Sequence, residues 1–194
     1  SMERVNLSQA NLTDTDLRGA DLSLANLTEA DMSRATLDEG QLSGATMVDT
    51  NLHQAQASRT TFNGANMERS NLVQADVSFS SFERANLSGA NLGWANMSRV
   101  NLEKANLSEA NLSGTNLDEV LLLVANLSGA FLFGARVSLK ALSAAKSLAS
   151  ATMPDGLKYE DWVRRQAGED VPDPIIQPEM EIPPSPLDYR AEEV

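Results

Sequence analysis

Apolar side chains recur at every fifth position along most of the chain. From Leu7 to Leu142 there are 28 such positions, called centres below, and none of them is polar. They comprise 19 Leu, 4 Met, 2 Phe, 2 Val and Ala57. Two residues before each centre, from Val5 to Lys140, lies a second recurring site that is mostly Ala. The residue between these two sites is mostly Asn or Asp, so the whole unit repeats with a period of five.

A period of five matches neither regular secondary structure. In an α-helix, each successive centre would move ~140° around the axis, and no apolar face would form. In a β-strand, alternate centres would point to opposite faces, so half of them would enter water. The pattern therefore predicts a backbone that turns towards a common axis once in every repeat, with Asn, Asp, Ser and Gly in the turns.

The units resemble the pentapeptide-repeat family, whose consensus is Ala-(Asp/Asn)-Leu-X-X. Residues 85–89 read Ala-Asn-Leu-Ser-Gly and residues 105–109 read Ala-Asn-Leu-Ser-Glu, and the resemblance covers about residues 5–142. It implies an all-β solenoid, a right-handed quadrilateral β-helix of about seven coils, with four repeats in each coil. The segment 151–156 also resembles the closing segment of many bacterial members.

Four repeats per coil predict that each side chain stacks on its equivalent four repeats later, which gives four columns of centres. One column runs from Met2 to Leu142, and it places Phe62 and Phe82 in adjacent coils, where their rings should stack. Seven coils at ~4.8 Å spacing give a rod of about 33 Å. Each coil would be stabilised mainly by its two neighbours.

The register breaks after Leu142, because the next centres are Leu148 and Met153. We expect a β-helix over 1–156 with a short inserted helix at 138–146, capped by Ser138; a bulged coil is the alternative. A second domain, 157–194, should hold a short helix over 159–166, ended by Gly168, and then an acidic, Pro-rich extended tail. This tail is either docked or loose.

Large apolar side chains also fall at positions that should point outward. Phe79, Leu121, Leu123, Val124 and Leu139 gather near one corner. A second cluster is expected on the opposite side: Trp94, Phe131 and Phe133. We expect that the tail covers one patch and a second copy of the chain covers the other, with scattered surface residues as the alternative. The predicted protein-binding residues are Trp94, Phe131, Phe133, Leu121, Leu123 and Phe79.

Composition argues against an enzyme. The chain has no Cys and a single His, His53, which excludes thiolate sites and any site that needs two imidazoles. It contains no glycine-rich phosphate loop or metal-ligand spacing, and a filled solenoid offers no catalytic cleft. We therefore expect no catalytic residues, no cofactor and no metal.

Net charge bears on the partner class. The formal charge is −12, which disfavours direct nucleic-acid binding. The sequence favours a bacterial protein-binding or scaffold module of unknown partner, able to form a homodimer. It also predicts no membrane span and a cytoplasmic location. One alternative, implied by resemblance to quinolone-resistance members, is a DNA-mimicking regulator of a type II topoisomerase, DNA gyrase. Another is a structural spacer without a ligand.

The charge density weakens the mimicry alternative. Residues 1–155 contain 17 acids and 11 bases, a net charge of −6. Duplex DNA of about 33 Å would carry about 20 negative charges. The sequence therefore favours the protein-binding interpretation over DNA mimicry.

Overall fold

Each repeat folds as one tight turn. In a computed structural model, which describes residues 4–173, the Ala90 N–H donates to the Leu87 carbonyl at 3.1 Å. Between them Gly89 has a positive φ of 64°, as the third residue of a type II turn requires. The side-chain oxygen of Asn86 accepts from the Ser88 N–H at 3.3 Å. The side chain of the Asn or Asp therefore stabilises the turn of each repeat by a hydrogen bond on the outer surface.

Successive coils are joined by parallel pairing between equivalent residues, each four repeats after the other. Asn86 pairs with Asn106, and equivalent bridges continue along the solenoid up to the pair Asn116 and Arg136. In each of these pairings the backbone N–H of the centre donates to the next coil: the Leu87 N–H donates to the Asn106 carbonyl at 2.7 Å. Within the described chain these are isolated bridges rather than continuous strands, so four short rungs complete one coil.

The core is a filled column along the axis. Every centre from Leu22 to Leu132 is at most 2% exposed. The Phe62 and Phe82 rings stack with centroids 4.6 Å apart and planes at 14°, which confirms the predicted stack. Centres of the first coil, such as Leu7, are half-buried. The position of Met2 lies outside the described residues.

Polar groups inside the solenoid are paired. At the small site, the buried hydroxyls of Thr60 and Thr115 donate to the carbonyls of centres in the preceding coil, both at 2.8 Å. Stacked side-chain amides link adjacent coils at 2.9–3.1 Å. One such ladder consists of Asn66, Asn86, Asn106 and Asn126. Among residues 4–173 no buried side-chain nitrogen or oxygen lacks a partner.

A short helix interrupts the ladder in the last coil. Helix α1 is Leu139–Ser143, and the Ser138 hydroxyl accepts from the Ala141 N–H as its cap. The helix begins as predicted, but it ends at Ser143, before the expected residue 146. Its Leu142 is 3% exposed and therefore still occupies a core position. Pairing resumes between Asn126 and Ser147. This pair is one residue further apart in the chain than the regular pairs, so α1 absorbs the slip.

The C-terminal end of the solenoid is closed by a reversed segment and a second helix. Thr152 pairs antiparallel with Lys158, and helix α2, Tyr159–Gln166, follows. The Tyr159 and Trp162 rings stack with centroids 6.4 Å apart and pack against the core cluster. Gly168, with φ of 85°, follows the end of α2.

The described part of the tail lies beside Leu139, one of the residues expected at the apolar corner, in a small groove. This groove lies between α1 and α2 and is lined by Trp162 of α2. Val163 remains 42% exposed. The remaining large apolar residues of the tail, which the expected coverage would also use, lie outside the described residues: Ile175, Ile176, Met180, Ile182, Leu187 and Tyr189.

Candidate protein-binding surface

One corner of the solenoid carries two leucine side chains that are each more than half exposed to solvent. Leu121 is 59% exposed and Leu123 is 51% exposed, whereas Leu122 between them is buried in the core. Beside them lies a groove of about 400 Å³. Its walls are the run 119–123 on one side and α1 with its cap on the other, contributing Ser138, Lys140, Ala141 and Ala144. This groove is called the corner groove below.

The corner groove exists because α1 leaves the ladder. Leu121 pairs normally with the preceding coil. Its N–H donates to the Val100 carbonyl at 3.0 Å, and its carbonyl accepts from the Leu102 N–H at 2.8 Å. The residue that would continue this pairing is Ala141. Its N–H instead donates to the Ser138 hydroxyl, and its carbonyl accepts from Ala144. The position beside Leu121 where a residue of the next coil would pair with it is therefore open.

Phe79 belongs to the same edge but is separated from the corner groove. Its ring is 47% exposed and lies between two guanidinium groups, those of Arg59 at 5.6 Å and Arg99 at 5.3 Å. Arg99 also binds Glu119 through two nitrogens, at 3.0 and 3.1 Å. Phe79 is therefore part of a cation–π stack along the rod, and Glu119 connects this stack to the rim of the corner groove.

The second predicted cluster is half-buried. The Trp94 ring lies against the backbone of Gly114 in the next coil, where an added Cβ would meet the ring at 2.7 Å. Phe131 and Phe133 are tilted neighbours with ring centroids 6.2 Å apart. All three side chains keep partial exposure. They therefore contribute to packing between coils as well as to the outer surface.

The structure brings Leu121 and Leu123 together and keeps the other predicted residues apart from them. Leu139 is 63% exposed but lines the small groove facing α2. The sequence prediction missed Glu119, Lys140 and Ala141 as groove residues. A usable signal was Leu121 itself, which replaces the usual Asn or Asp one coil before the register break.

Several outward carboxylates on the regular coils form ion pairs with arginines. The Asp16 pKa is lowered to about 2, chiefly because the Arg18 side chain donates to it and also because the Arg18 N–H does. Hydrogen bonds from Arg34 lower the pKa of Asp14. No group of three or more His, Asp or Glu residues in the part of the chain covered by the structure could hold a metal ion. The acids that lie beside arginines therefore form ion pairs on the surface.

Comparison with known sequences identifies the repeat. The profile of the family described as Pentapeptide repeats matches in eight copies, in segments spanning residues 6–138. The chain belongs to the pentapeptide repeat family. Pentapeptide repeat proteins fold as right-handed β-helices, and the ladder that pairs each repeat with the one four repeats later is this fold. The family resemblance seen in the sequence is therefore confirmed.

Several solved structures of pentapeptide repeat proteins are similar to this chain. HetL, involved in heterocyst differentiation regulation in the cyanobacterium Nostoc sp. strain PCC 7120, is 33% identical over 79% of this chain and 78% of its own, with a TM-score of 0.43. Rfr23 from the cyanobacterium Cyanothece 51142 is 35% identical over 52% of this chain and 58% of its own, with a TM-score of 0.33.

The third comparison is with QnrB1, a plasmid-mediated fluoroquinolone resistance protein. It is 16% identical over 88% of this chain and 99% of its own, with a TM-score of 0.37. With these TM-scores, none of the three structures indicates what this pentapeptide repeat protein binds. A search of curated proteins gave no significant match. Within residues 4–173, no helix is long and apolar enough to cross a membrane.

Proposed function

We propose that this pentapeptide repeat protein is a non-enzymatic, protein-binding or scaffold module that binds its partner at the corner groove. The observation that carries the proposal is the pair Leu121 and Leu123, each more than half exposed beside an open groove. Elsewhere on the regular coils, the position of Leu121 mostly holds Asn or Asp. Leu121 is therefore a departure from the repeat that folding does not need, and Leu123 extends the apolar surface beside it.

The energetics favour coverage of this corner. Full burial of a leucine side chain contributes about 1.5–3 kcal/mol, and roughly half of that gain is still open to each of these two residues. The rim supplies one acid and one base, Glu119 and Lys140, which would orient a partner more than they would strengthen its binding. A rigid, preformed wall also lowers the entropic cost of association.

The solenoid form supports a scaffold role. We take the solenoid as a quadrilateral β-helix of about seven coils, because the 28 centres are arranged with four repeats in each coil. Such a rod presents outer faces of fixed spacing. A second copy of the chain is one candidate partner for the half-buried cluster of Trp94, Phe131 and Phe133.

The DNA-mimic alternative has less support. Several acids that a mimic would present are ion-paired across adjacent coils, as in Arg34 with Asp14 and Arg69 with Asp49. Because such pairs neutralise each other locally, these faces lack the single-sign field of duplex DNA. A spacer without a ligand would leave the two exposed leucines without a role.

The test is binding by variants that keep the fold. Leu121→Asp with Leu123→Asp should abolish binding of a host protein that the wild-type chain retains. The matched control is Leu24→Asp, on a leucine that is also exposed, at 44%, on the same face near the other end. The retained protein is then purified and its Kd measured against all three chains. Equal binding by the double variant would refute the proposal.

Two further measurements distinguish the alternatives. Light scattering of the double variant and the wild type tests self-association, since loss of a dimer in the variant would name the second copy as the partner. A DNA gyrase supercoiling assay tests mimicry, and inhibition by the wild-type chain at micromolar concentration would favour that alternative over ours.

A further inference from the structure

We propose that the corner groove binds an extended segment of a partner protein, which pairs with the backbone beside Leu121 and carries an acidic side chain between two apolar ones. The inference rests on the proposed function and specifies the form and chemistry of the partner. Its basis is the set of backbone groups that α1 leaves unpaired along 119–123. These groups define where a segment can bond, in which direction it runs and which side chains it should carry.

Two of the unpaired groups are arranged to form one parallel bridge. Leu121 pairs with the preceding coil through the Val100 carbonyl and the Leu102 N–H. The equivalent groups one coil later are the Val120 carbonyl and the Leu122 N–H, and neither has a partner in the part of the chain that the structure describes. A single residue of an extended segment can bond both of them, as Leu121 does with its own neighbours. Unpaired groups at a sheet edge favour the addition of such a segment.

The bond pattern selects an extended backbone rather than a helix. A helix uses its backbone groups internally and cannot offer both a donor to Val120 and an acceptor to Leu122. The regular coils all pair in parallel, so the segment should run in the same direction as 119–123. The next carbonyl along this edge is already occupied, because that of Leu122 accepts from the Ala125 N–H at 3.0 Å. One residue therefore makes the backbone contact, and side chains supply the rest.

The edge of the groove has more unpaired donors than acceptors. The Glu119 N–H lacks its regular partner, because the Ser138 carbonyl, which lies 19 residues later as in the regular pairs, accepts from Leu142 within α1 at 3.1 Å. The Leu123 N–H also has no acceptor among the described residues, since Leu121 lacks the side-chain oxygen of the usual Asn or Asp. Along 119–123 of the described chain, three unpaired N–H groups therefore accompany one unpaired carbonyl, which favours a partner rich in acceptors.

The charges on the rim favour an acidic side chain in the partner. Lys140 lies on the α1 wall of the groove and is exposed, and it forms no ion pair with any described residue. The Glu119 carboxylate does not meet this need, because it accepts two hydrogen bonds from Arg99. An Asp or Glu of the segment would therefore find an unpaired cation. Because alternate side chains of an extended segment point to opposite sides, apolar residues before and after the acid would cover Leu121 and Leu123.

A second copy of the chain fits the groove less well than a different protein does. Two identical grooves would meet about a two-fold axis, which brings the same unpaired donors and the same Lys140 against each other. Like charges in such a contact oppose association. The groove therefore favours a foreign segment with the pattern apolar, acidic, apolar.

Binding of a short peptide tests the backbone pairing. The probe is acetyl-Ser-Leu-Glu-Leu-Ser-amide, titrated into the ¹⁵N-labelled full chain. We expect saturable shifts of the amide signals of 119–123, with a Kd of about 1 mM or tighter. The first leucine of the peptide would donate to Val120, so methylation of its backbone nitrogen should weaken binding at least about 5-fold.

Methylation of the second leucine of the peptide is the matched control. It should change the Kd by less than about 2-fold, because the Leu122 carbonyl that this nitrogen would reach already accepts from Ala125. The absence of saturable shifts would overturn the proposal. Equal losses for the two methylated peptides, or a larger loss for the second, would also overturn it.

The acidic part of the proposal is tested at Lys140. Lys140→Gln should raise the Kd of the peptide about 2- to 5-fold. It should not weaken binding of a peptide with Gln in place of Glu any further, because the ion pair is then already absent. The control is Lys146→Gln, on a lysine that is also exposed but lines the small groove instead. Equal effects of the two substitutions would refute pairing at Lys140.

Hydrogen exchange of the free chain shows whether the edge is open. The Leu122 amide should exchange at least about 10-fold faster than the Leu102 amide, which is bonded to the Leu121 carbonyl at 2.8 Å. Protection of Leu122 that falls on dilution would assign the groove to a second copy. Protection at every concentration would assign it to the chain itself, and either result overturns the proposal.

These measurements are separate from the test of the proposed function, because none of them uses the host partner. If the peptide fails while Leu121→Asp with Leu123→Asp still abolishes binding of the host protein, the corner groove remains the binding surface. Only the extended, acidic form of the partner is then refuted.

Discussion

The inward direction of the centres can be tested with two phenylalanines of the same coil. Phe82 is a centre with 0% exposure, and its ring stacks on Phe62 at 4.6 Å. Phe79, three residues earlier, is 47% exposed. Phe82→Ala removes a buried ring from a closely packed column, for which the expected loss of unfolding free energy is about 3–5 kcal/mol. Part of this loss, about 0.5–1.5 kcal/mol, belongs to the ring pair.

Phe79→Ala is the matched control. It removes a ring of the same size whose contacts are with two exposed arginines, so the expected loss is at most about 1 kcal/mol. Urea unfolding followed by circular dichroism gives both values. A double-mutant cycle with Phe62→Leu and Phe82→Leu isolates the contribution of the stack. Equal losses for Phe82→Ala and Phe79→Ala would refute the assignment of inward and outward positions.

Two other predictions concern ion pairs and turns. Because the folded-state pKa of Asp16 is about 2 and its ordinary value is 3.8, its contribution to stability is present above pH 3.8 and is lost as the pH falls through about 2. Asp16→Asn should flatten acid unfolding curves in that window, and curves identical to wild type would contradict this. Gly64→Ala should cost about 1–3 kcal/mol for its φ of 65° alone, whereas Gly114→Ala should cost more and shift the Trp94 fluorescence, because the added Cβ meets that ring. Equal costs without a fluorescence shift would contradict the contact.

Periodicity alone predicted the axial core, the stacked rings and the one-residue slip. These follow from sequence because a single side chain per repeat must be buried, and Phe62 and Phe82 hold equivalent positions in adjacent coils. The cap of α1 was also predictable, because Ser138 precedes a run of helix-forming residues. The end of α1 was not, since it depends on where Ala144 rejoins the ladder by accepting from the Val124 N–H.

The backbone conformation at the turns was beyond sequence reasoning. Residues as large as Trp94 and Phe79, and even β-branched Val124, have φ near 60°, a region that bulky residues rarely adopt. Hydrogen bonds to adjacent coils impose this conformation against local preference. The corner groove was likewise unpredictable as a cavity: the sequence indicated Leu121 and Leu123, but not that α1 would leave a space beside them.

The constant number of repeats in each turn of the solenoid limits how this molecule can change in length. A one-residue insertion within a regular coil would shift every later side chain by one position, moving outer asparagines onto the axis and leucines into water. Helix α1 lies within the last coil but outside this constraint, because it already accommodates one additional residue between Asn126 and Ser147. Gene changes that preserve the fold should therefore add or remove whole coils, or alter the helix beside the corner groove, where variation in length and variation in binding would occur at the same place.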